Sequence, residues 1–415
     1  MSITLDSQDI SKPSGAVAAV DVARPQQAIP MVEAMQQMAA AAGTGYLGVV
    51  RDFARLAMGP GRLSFAEYVA LRLFDAQRYA GIDKKAFVGL AVSRKIWTQV
   101  NFRLDLHGIA ANKIASSALF GAYGLPTIPV LAVYSDRIGM ASDRMLRGAD
   151  ALRAFLRDPG HYPLFGKPTD SLQSLGSASL DRIDTGANEL VAFGGRRIPL
   201  DAFVAEIGTH YGAGYLFQRR VSPHRDVRAL CGDRLATVRV LTIVSAGVPK
   251  ILRACWKIPA GANAADNFWR SGNILARLDL QSGRILSAVR GTGIDYAEPT
   301  HHPDTGAALV GATVPNWRAV TELALEAAKV VPDLALIGWD IAPVDDGAVL
   351  VESNEIPDFI LPQMADGRGI LDDEFKSFLA ERKALAKAWD RNQRQGMQRS
   401  ALSGFNLGAG DTAAT

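Results

Sequence analysis

Two carboxylates late in the chain stand where burial is costly. In Ile337-Gly-Trp-Asp-Ile-Ala, Asp340 is a lone acid inside an apolar strand pattern. A buried, unpaired carboxylate is expensive enough that a cation or hydrogen-bond donors must meet it. Twelve residues later, Val349-Leu-Val-Glu-Ser-Asn sets Glu352 and Asn354 two apart, on one face of a strand. Between them Asp346-Gly347 is a strong hairpin signal. Folded back, the hairpin brings Asp340 beside Glu352 and Asn354. Three hard oxygen ligands on one hairpin suit Mg²⁺, which takes few protein ligands and fills its octahedron with water and phosphate oxygens.

Phosphates need cations. Lys167 ends the apolar strand PLFGK (163–167) and precedes a small-residue loop with hydroxyls and backbone amides, a segment able to close over phosphates. Lys113 opens a helix that leads to GLPTIP (124–129), and YLFQRR (215–220) reads as a strand whose backbone can meet an adenine edge. Other motifs carry less. Gly43, Gly45 and Gly48 spell GxGxxG, but an alanine run precedes them where a strand is required, so they read as a loop between helices. There is no GxxxxGK[ST]. His301 and His302 are adjacent and diverge, which predicts a solvated loop rather than a metal site.

The elements that must position these residues follow from texture. Residues 31–110 read mostly helical, with apolar positions at three and four spacing in FAEYVALRLFDAQRY and KKAFVGLAVSRKIWTQV. From about 129 onward, short apolar runs alternate with Gly, Pro and Asp, a strand-rich α+β body. NWRAVTELALEAAKV (316–330) is an amphipathic helix, and a charged helix closes the chain at 366–400. Residues 1–28 and 401–415 read as flexible tails. The uncharged stretch 114–135 is long enough to span a bilayer, but its glycines and prolines break it into a helix, a turn and a buried strand. The start, MSITLDSQDI, lacks the basic and apolar regions of a secretory signal.

Composition agrees with a soluble enzyme. In 415 residues, 48% are hydrophobic and 21% charged; 45 Lys and Arg against 42 Asp and Glu leave a net +3 spread along the chain, so nucleic acid is not an expected partner. Cys231 and Cys255 have no metal or redox spacing and read as buried small hydrophobes in a reducing cytoplasm.

The ordered set resembles the ATP-grasp superfamily, and more narrowly the sugar-transfer associated, alpha-L-glutamate-ligase-related ATP-grasp proteins. The residues that carry the likeness are Lys113 with GLPTIP, strand-ending Lys167 with its loop, YLFQRRV with His224 six residues after Gln218, GWDIA (338–342) and VESNEIPD (351–358). TVRVLT (237–242), Ala265-Asp-Asn-Phe with Gly272-Asn-Ile, and His302-Pro-Asp-Thr-Gly extend it, so that it covers roughly residues 65–365. The resemblance implies an ATP-grasp domain over 111–365, with subdomains at about 130–213 and 214–365 gripping ATP, behind a helical region at 29–110. It further implies that Lys113 and Lys167 bind phosphates. Gln218, Arg219, Val221 and His224 would lie at the adenine hinge. Asp340, Glu352 and Asn354 would hold magnesium, and Arg239, of the TxR strand, would stand near the γ-phosphate and the acyl intermediate. Two departures stand out, Ala236 for the usual Asn and Ser353 for the usual Gly; neither removes a group the chemistry needs.

The implied reaction is ATP- and Mg²⁺-dependent joining of a small-molecule carboxylate to an amine through an acyl phosphate, with Lys167 and Arg239 as the catalytic cations. An acceptor pocket is expected at 263–273, where Asp266, Asn267, the flat face of Trp269 and the guanidinium fork of Arg270 would meet substrate. A kinase on the same scaffold, or a nucleotide-binding module without turnover, are the other classes this pattern admits.

Overall fold

β-Branched and aromatic runs alternating with turn residues build two sheets. The computed structural model describes residues 31–137, 144–169, 176–261 and 263–405; the tail expected at 1–28, most of that at 401–415 and loop residues 170–175 lie outside them. In the first sheet are β1 (Val130–Tyr134), β2 (Met145–Leu146), β3 (Leu164–Pro168), β4 (Ala178–Asp184), β5 (Glu189–Ala192), β6 (Arg197–Pro199) and β7 (Tyr215–Arg219), in the order β2-β1-β7-β3-β4-β5-β6. In the second are β8 (Val238–Ser245), β9 (Val248–Ile258), β10 (Ile274–Leu278), β11 (Ile285–Arg290), β12 (Leu336–Val344) and β13 (Gly347–Asn354), in the order β11-β10-β9-β8-β12-β13. The expected division at 213–214 falls just before β7, yet β7 pairs with β1 and β3 in the first sheet.

Each sheet buries one face under helices. Helices Gly148–Arg157 and Leu200–Tyr211 cover the first sheet through Leu152, Leu156, Phe203 and Ile207, which pack with Tyr215 and Phe217. Helix Trp317–Val330 turns Val320, Leu323, Ala324, Ala327 and Ala328 onto the second sheet. The strand period of two then sorts β9: Ala254, Trp256 and Ile258 join that core, while Arg253, Cys255 and Lys257 face the other way. Trp256 and Trp339 are fully buried; each spends its indole N–H inside, on the Ala236 carbonyl at 3.2 Å and on Thr242 Oγ1 at 2.8 Å. Burying such a side chain is worth about 2–3 kcal/mol.

The opposite face of the second sheet is only partly apolar. Cys255, Leu275 and Val289 pack there against Leu71, Phe74 and Phe87 of the N-terminal region and against Ile360, Leu361 and Met364 of helix Ile360–Asp366. The N-terminal helices therefore share a core with the sheet. Gln363, 1% exposed, pins the contact, donating from Nε2 to the Val88 carbonyl and accepting from Val88 N and Ile370 N. The C-terminal helix runs Asp373–Phe405, five residues into the expected tail.

The stretch 114–135 forms helix Lys113–Ala122, a turn with Gly124 at φ +74°, and β1. Among the described residues no helix is long and apolar enough to cross a membrane. Gly43 lies between two helices, but Gly45 opens the second of them, Gly45–Ala57, and Gly48 lies inside it, so the loop expected over this motif shrinks to residues 43–44. One expectation is corrected. His302 is not solvated but 1% exposed, its Nε2 2.9 Å from the Pro259 carbonyl, because it staples the start of the 259–273 segment; His301 alone is exposed.

Candidate functional site

A cleft opens where the first sheet, the second sheet and helix Lys113–Ala122 meet. Lys113, Lys167, Leu216, Gln218, Leu350 and Glu352 line it. Lys113 is delivered by a capped helix start. The Asn112 side chain accepts from the backbone N–H groups of Ile114 and Ala115 at 2.9 and 3.0 Å, satisfying donors that a helix N-terminus leaves open. Lys167 is delivered by β3, opposite Leu216 of β7. Leu216 and Gln218, two apart on β7, present one face to the cleft, whereas Tyr215 and Phe217 point into the first core. Gln218 Nε2 donates to the Ile128 carbonyl at 2.9 Å, which fixes its amide against the cleft wall.

The other residues expected at the hinge go elsewhere. Arg219 reaches out to the Tyr162 and Gly160 carbonyls at 3.4 and 3.1 Å, and Val221 is not among the cleft-lining residues. His224 caps helix Arg225–Cys231, its Nδ1 accepting from Asp226 N at 3.1 Å, while its own backbone N–H donates to Pro343 at the end of β12.

The β12–β13 hairpin closes through Asp345-Asp346 with Gly347 at φ +134°, and its register puts Asp340 opposite Glu352 and Gly338 opposite Asn354. Glu352 Oε1 lies 4.0 Å from Lys113 Nζ and Oε2 lies 3.7 Å from Lys167 Nζ; its side chain is 31% exposed. Asp340, 10% exposed, takes a two-pronged contact from Arg239, Nε to Oδ1 at 2.6 Å and Nη2 to Oδ2 at 3.0 Å. Lys257 Nζ sits 3.0 Å from Oδ2, and Asn354 Nδ2 donates to the same oxygen at 3.3 Å. Gly338 leaves the room for this: a Cβ there would come within 3.2 Å of Arg239 Cδ. Burial alone would raise the Asp340 carboxyl, but Arg239 and Lys257 outweigh it and hold the group well below the usual carboxylate range.

Behind this pair lies the expected acceptor segment. Asp266 Oδ2 accepts from Thr237 N and Oγ1 at 2.6 and 2.5 Å, and Lys257 Nζ is 3.7 Å from its Oδ1. Burial nevertheless pushes the Asp266 carboxyl upward, since the nearby Asp340 anion offsets part of what Lys257 provides. Trp269 Nε1 donates to Asp358 Oδ2 at 3.3 Å, and Asp358, whose carboxyl burial also raises, lies near Arg239. Asn267 accepts from Trp269 N through its side chain and from Arg270 N through its carbonyl. Arg270 is 8% exposed. Asn273, fully buried, ties the segment together by donating to the Ala265 and Asn267 carbonyls and accepting from Ala260 N.

The two departures read in the sequence also have places. Ala236 is buried under Trp256. The Ser353 hydroxyl donates to the Ala110 carbonyl at 3.1 Å and meets Ser116 Oγ at 2.8 Å, so it binds β13 to helix Lys113–Ala122 rather than approaching the acids.

Lys257 and Asp358 are the residues that sequence reasoning missed. The signal for Lys257 was present: in ILRACWKI, Arg253 and Lys257 are cations on one face of an otherwise apolar strand, the same anomaly that marks Asp340. Asp358 ends VESNEIPD and follows the strand in a turn, where periodicity gives no face.

Among the described residues no group of three or more His, Cys, Asp or Glu is arranged to hold a metal ion. The trio contains two carboxylates and an amide, all hard oxygen donors, and its chemistry fits a Mg²⁺ that keeps most of its sphere for water and phosphate.

A family model described as sugar-transfer associated ATP-grasp matches residues 204–377, from helix Leu200–Tyr211 through β7 and the whole second sheet. Comparison with curated proteins finds no significant match. Similar solved structures include a D-alanine-D-alanine ligase from Coxiella burnetii, 13% identical, TM-score 0.41, covering 72% of this chain and 62% of that one. An N5-carboxyaminoimidazole ribonucleotide synthetase solved as an ADP complex is 13% identical, TM-score 0.34, covering 60% and 45%. A biotin carboxylase from Campylobacter jejuni is 11% identical, TM-score 0.40, covering 66% and 46%. The chain spans less than two thirds of the length of each of these three.

Proposed function

Residues 204–377 belong to the sugar-transfer associated ATP-grasp family and the fold is ATP-grasp, and from that premise we propose that the chain is an ATP- and Mg²⁺-dependent ligase joining a small-molecule carboxylate to an amine. The observation that carries the reading is the pairing of acids with cations, one group lining the cleft and the other buried beside it on the same hairpin. Glu352 stands between Lys113 and Lys167, and Asp340 between Arg239 and Lys257. Each acid is thereby offset by two cations, a concentration of charge suited to metal-bound phosphate.

Asp340, Glu352 and Asn354 would hold Mg²⁺, whose chemistry there is to neutralise charge on the phosphoryl oxygens. Lys113 and Lys167, drawn from Glu352, bind the phosphates, with the nucleoside in the cleft against Leu216 and Gln218. The γ-phosphoryl passes from ATP to a carboxylate oxygen and ADP leaves; the amine then adds to the acyl carbon and phosphate leaves as the amide forms. Positioning and electrostatics do most of this work. Arg239, already oriented by Asp340, stabilises negative charge on the acyl oxygens. Segment 263–273 faces the amine side, and no cysteine or serine nucleophile takes part. The two unpaired, buried cysteines suit a cytoplasmic setting. Modification of a polysaccharide or a secondary metabolite is the proposed context.

The experiment is a screen for ADP and phosphate release over amino acids with candidate sugar acids, followed by product analysis. An amide formed with ADP and phosphate supports a ligase. ADP with a phosphorylated product and no free phosphate would replace this reading with a kinase.

A further inference from the structure

Helix Gly45–Ala57 carries apolar residues on two opposite faces. Val49 and Leu56 are buried and join Tyr68 and Phe74 in the core that the N-terminal region shares with the second sheet. On the other side Leu47, Val50, Ala54 and Met58 follow one another at spacings of three and four, so they form one continuous stripe. Met58, which caps the helix, still has helical φ and ψ. Leu47 is 86% and Met58 82% exposed, and Val50 and Tyr46 are half exposed. Single apolar side chains on a surface are ordinary, whereas a row of them along the outermost line of a helix leaves a contiguous apolar strip in water. Charge is sorted on the same helix. Arg51 and Arg55, four apart and both exposed, run as a second row beside the stripe. The one acid of the helix, Asp52, turns inward: its Oδ2 accepts from Tyr68 Oη at 3.3 Å and lies 3.2 Å from Lys84 Nζ, with Arg55 Nη2 3.6 Å from its Oδ1.

We propose that this face of helix Gly45–Ala57 docks on a membrane surface that contains anionic lipid, the apolar stripe entering the acyl boundary and the arginine row meeting the lipid phosphates. A stripe bordered by arginines on one side and by an aromatic residue on the other is the pattern with which a helix lies in the interface. Tyr46, four residues before Val50, supplies that second border. The 13 residues of the helix make a rod of about 20 Å. That is too short to cross a bilayer, so the helix lies along it. Charge decides between lipid and a second copy of this chain. Two copies joined stripe to stripe would bring their arginine rows together with no acid of the helix facing outward to meet them, whereas lipid phosphates supply the missing anions. None of these residues lines the cleft, so the proposal stands apart from the ligase reaction and does not rest on it.

The test is sedimentation of the full chain with vesicles of phosphatidylcholine alone and of phosphatidylcholine with about 30% phosphatidylglycerol, at low and at high salt. The wild type should bind the anionic vesicles about tenfold or more tightly than the neutral ones, and salt should weaken the binding. Leu47→Glu/Val50→Glu should bind the anionic vesicles about tenfold more weakly or worse, since two apolar side chains no longer leave water. Arg51→Gln/Arg55→Gln should lose most of the difference between the two vesicle types. Val248→Glu, which changes an exposed apolar residue at the start of β9, is the control and should bind as the wild type does. All of these side chains are on the surface, so urea midpoints should stay close to that of the wild type. A wild type that does not sediment with anionic vesicles overturns the proposal, and so does undiminished binding by Leu47→Glu/Val50→Glu or an equal loss in Val248→Glu. A wild type that stays off vesicles but forms a dimer in analytical ultracentrifugation, lost in Leu47→Glu/Val50→Glu, overturns it in favour of a second copy of this chain.

Discussion

Asp340 and Glu352 are direct register partners across the β12–β13 hairpin, yet each is met by its own pair of cations, Arg239 with Lys257 for the first and Lys113 with Lys167 for the second. The two acids differ in depth, and their substitutions should differ accordingly. Asp340→Asn leaves two buried cations without their shared anion and should cost about 3–5 kcal/mol in urea unfolding of the nucleotide-free protein. Glu352→Gln, at the open side of the cleft, should unfold at nearly the same urea concentration as the wild type. Equal losses in the two variants would mean that depth does not separate their roles.

Turnover should reverse that ranking of Glu352. The Gln side chain keeps one acceptor oxygen and the size but loses the charge that, on the proposed function, would help to clamp metal-bound phosphate. Turnover should therefore fall about a hundredfold or more, as when one preorganised electrostatic contact is lost, with a smaller change in KM for ATP. Steady-state kinetics at saturating magnesium, once a substrate is found, checks this. Near-normal turnover would make the acid structural.

The cysteines should be bystanders. Burial pushes both the Cys231 and Cys255 thiols up to about 12. A thiol whose folded-state value lies above the ambient pH stays protonated, and the thiolate is the reactive form. Near pH 8 the native protein should take up no iodoacetamide, while the urea-unfolded chain takes up two, measured on the intact mass. Cys231→Ser and Cys255→Ser should keep turnover within about threefold. Rapid labelling of Cys255 in the native state would point to covalent chemistry at the sheet face.

Stability of β12, the strand that carries Asp340, depends on a residue remote from the cleft. Asn101, fully buried, donates to the Leu336 carbonyl at 2.9 Å and accepts from Leu336 N at 3.1 Å, so it closes the first backbone position of β12. Asn101→Ala orphans both groups and should cost about 2–4 kcal/mol. A loss in urea unfolding below about 0.5 kcal/mol, the scale of an ordinary surface change, would show that water or a neighbour replaces the amide.

Much of this was legible because the residues concerned break a local rule. Asp340 and Glu352 interrupt apolar strands, and the hairpin between them is written in its turn, so their juxtaposition follows from spacing. Lys113 and Lys167 could be proposed as phosphate ligands only together with the family likeness, since one helix start and one strand end say nothing of distance. The pairing of each acid with two cations was not legible. For Asp340 it depends on β8 lying between β9 and β12, and for Glu352 on helix Lys113–Ala122 and β3 of the other sheet both reaching β13, tertiary choices that no local pattern encodes. His224 and Arg219 misled for a related reason: their spacing from Gln218 places them near the cleft in sequence, but β7 ends there and the chain turns away to cap a helix and to meet β3. His302 was read as solvated because adjacent histidines carry no periodicity, while its burial follows from a staple to Pro259 forty-three residues earlier.

The most direct measurement is a calorimetric titration of ATP into the wild type and Lys167→Ala, each with magnesium and with EDTA. The wild type should bind one nucleotide in a magnesium-dependent way, and Lys167→Ala should bind it about tenfold more weakly or worse, because a charge-assisted contact from the cleft is gone. No binding by the wild type at about 1 mM ATP, the upper end of ordinary KM values, would refute nucleotide use at this cleft, and so would equal, magnesium-independent binding by both proteins.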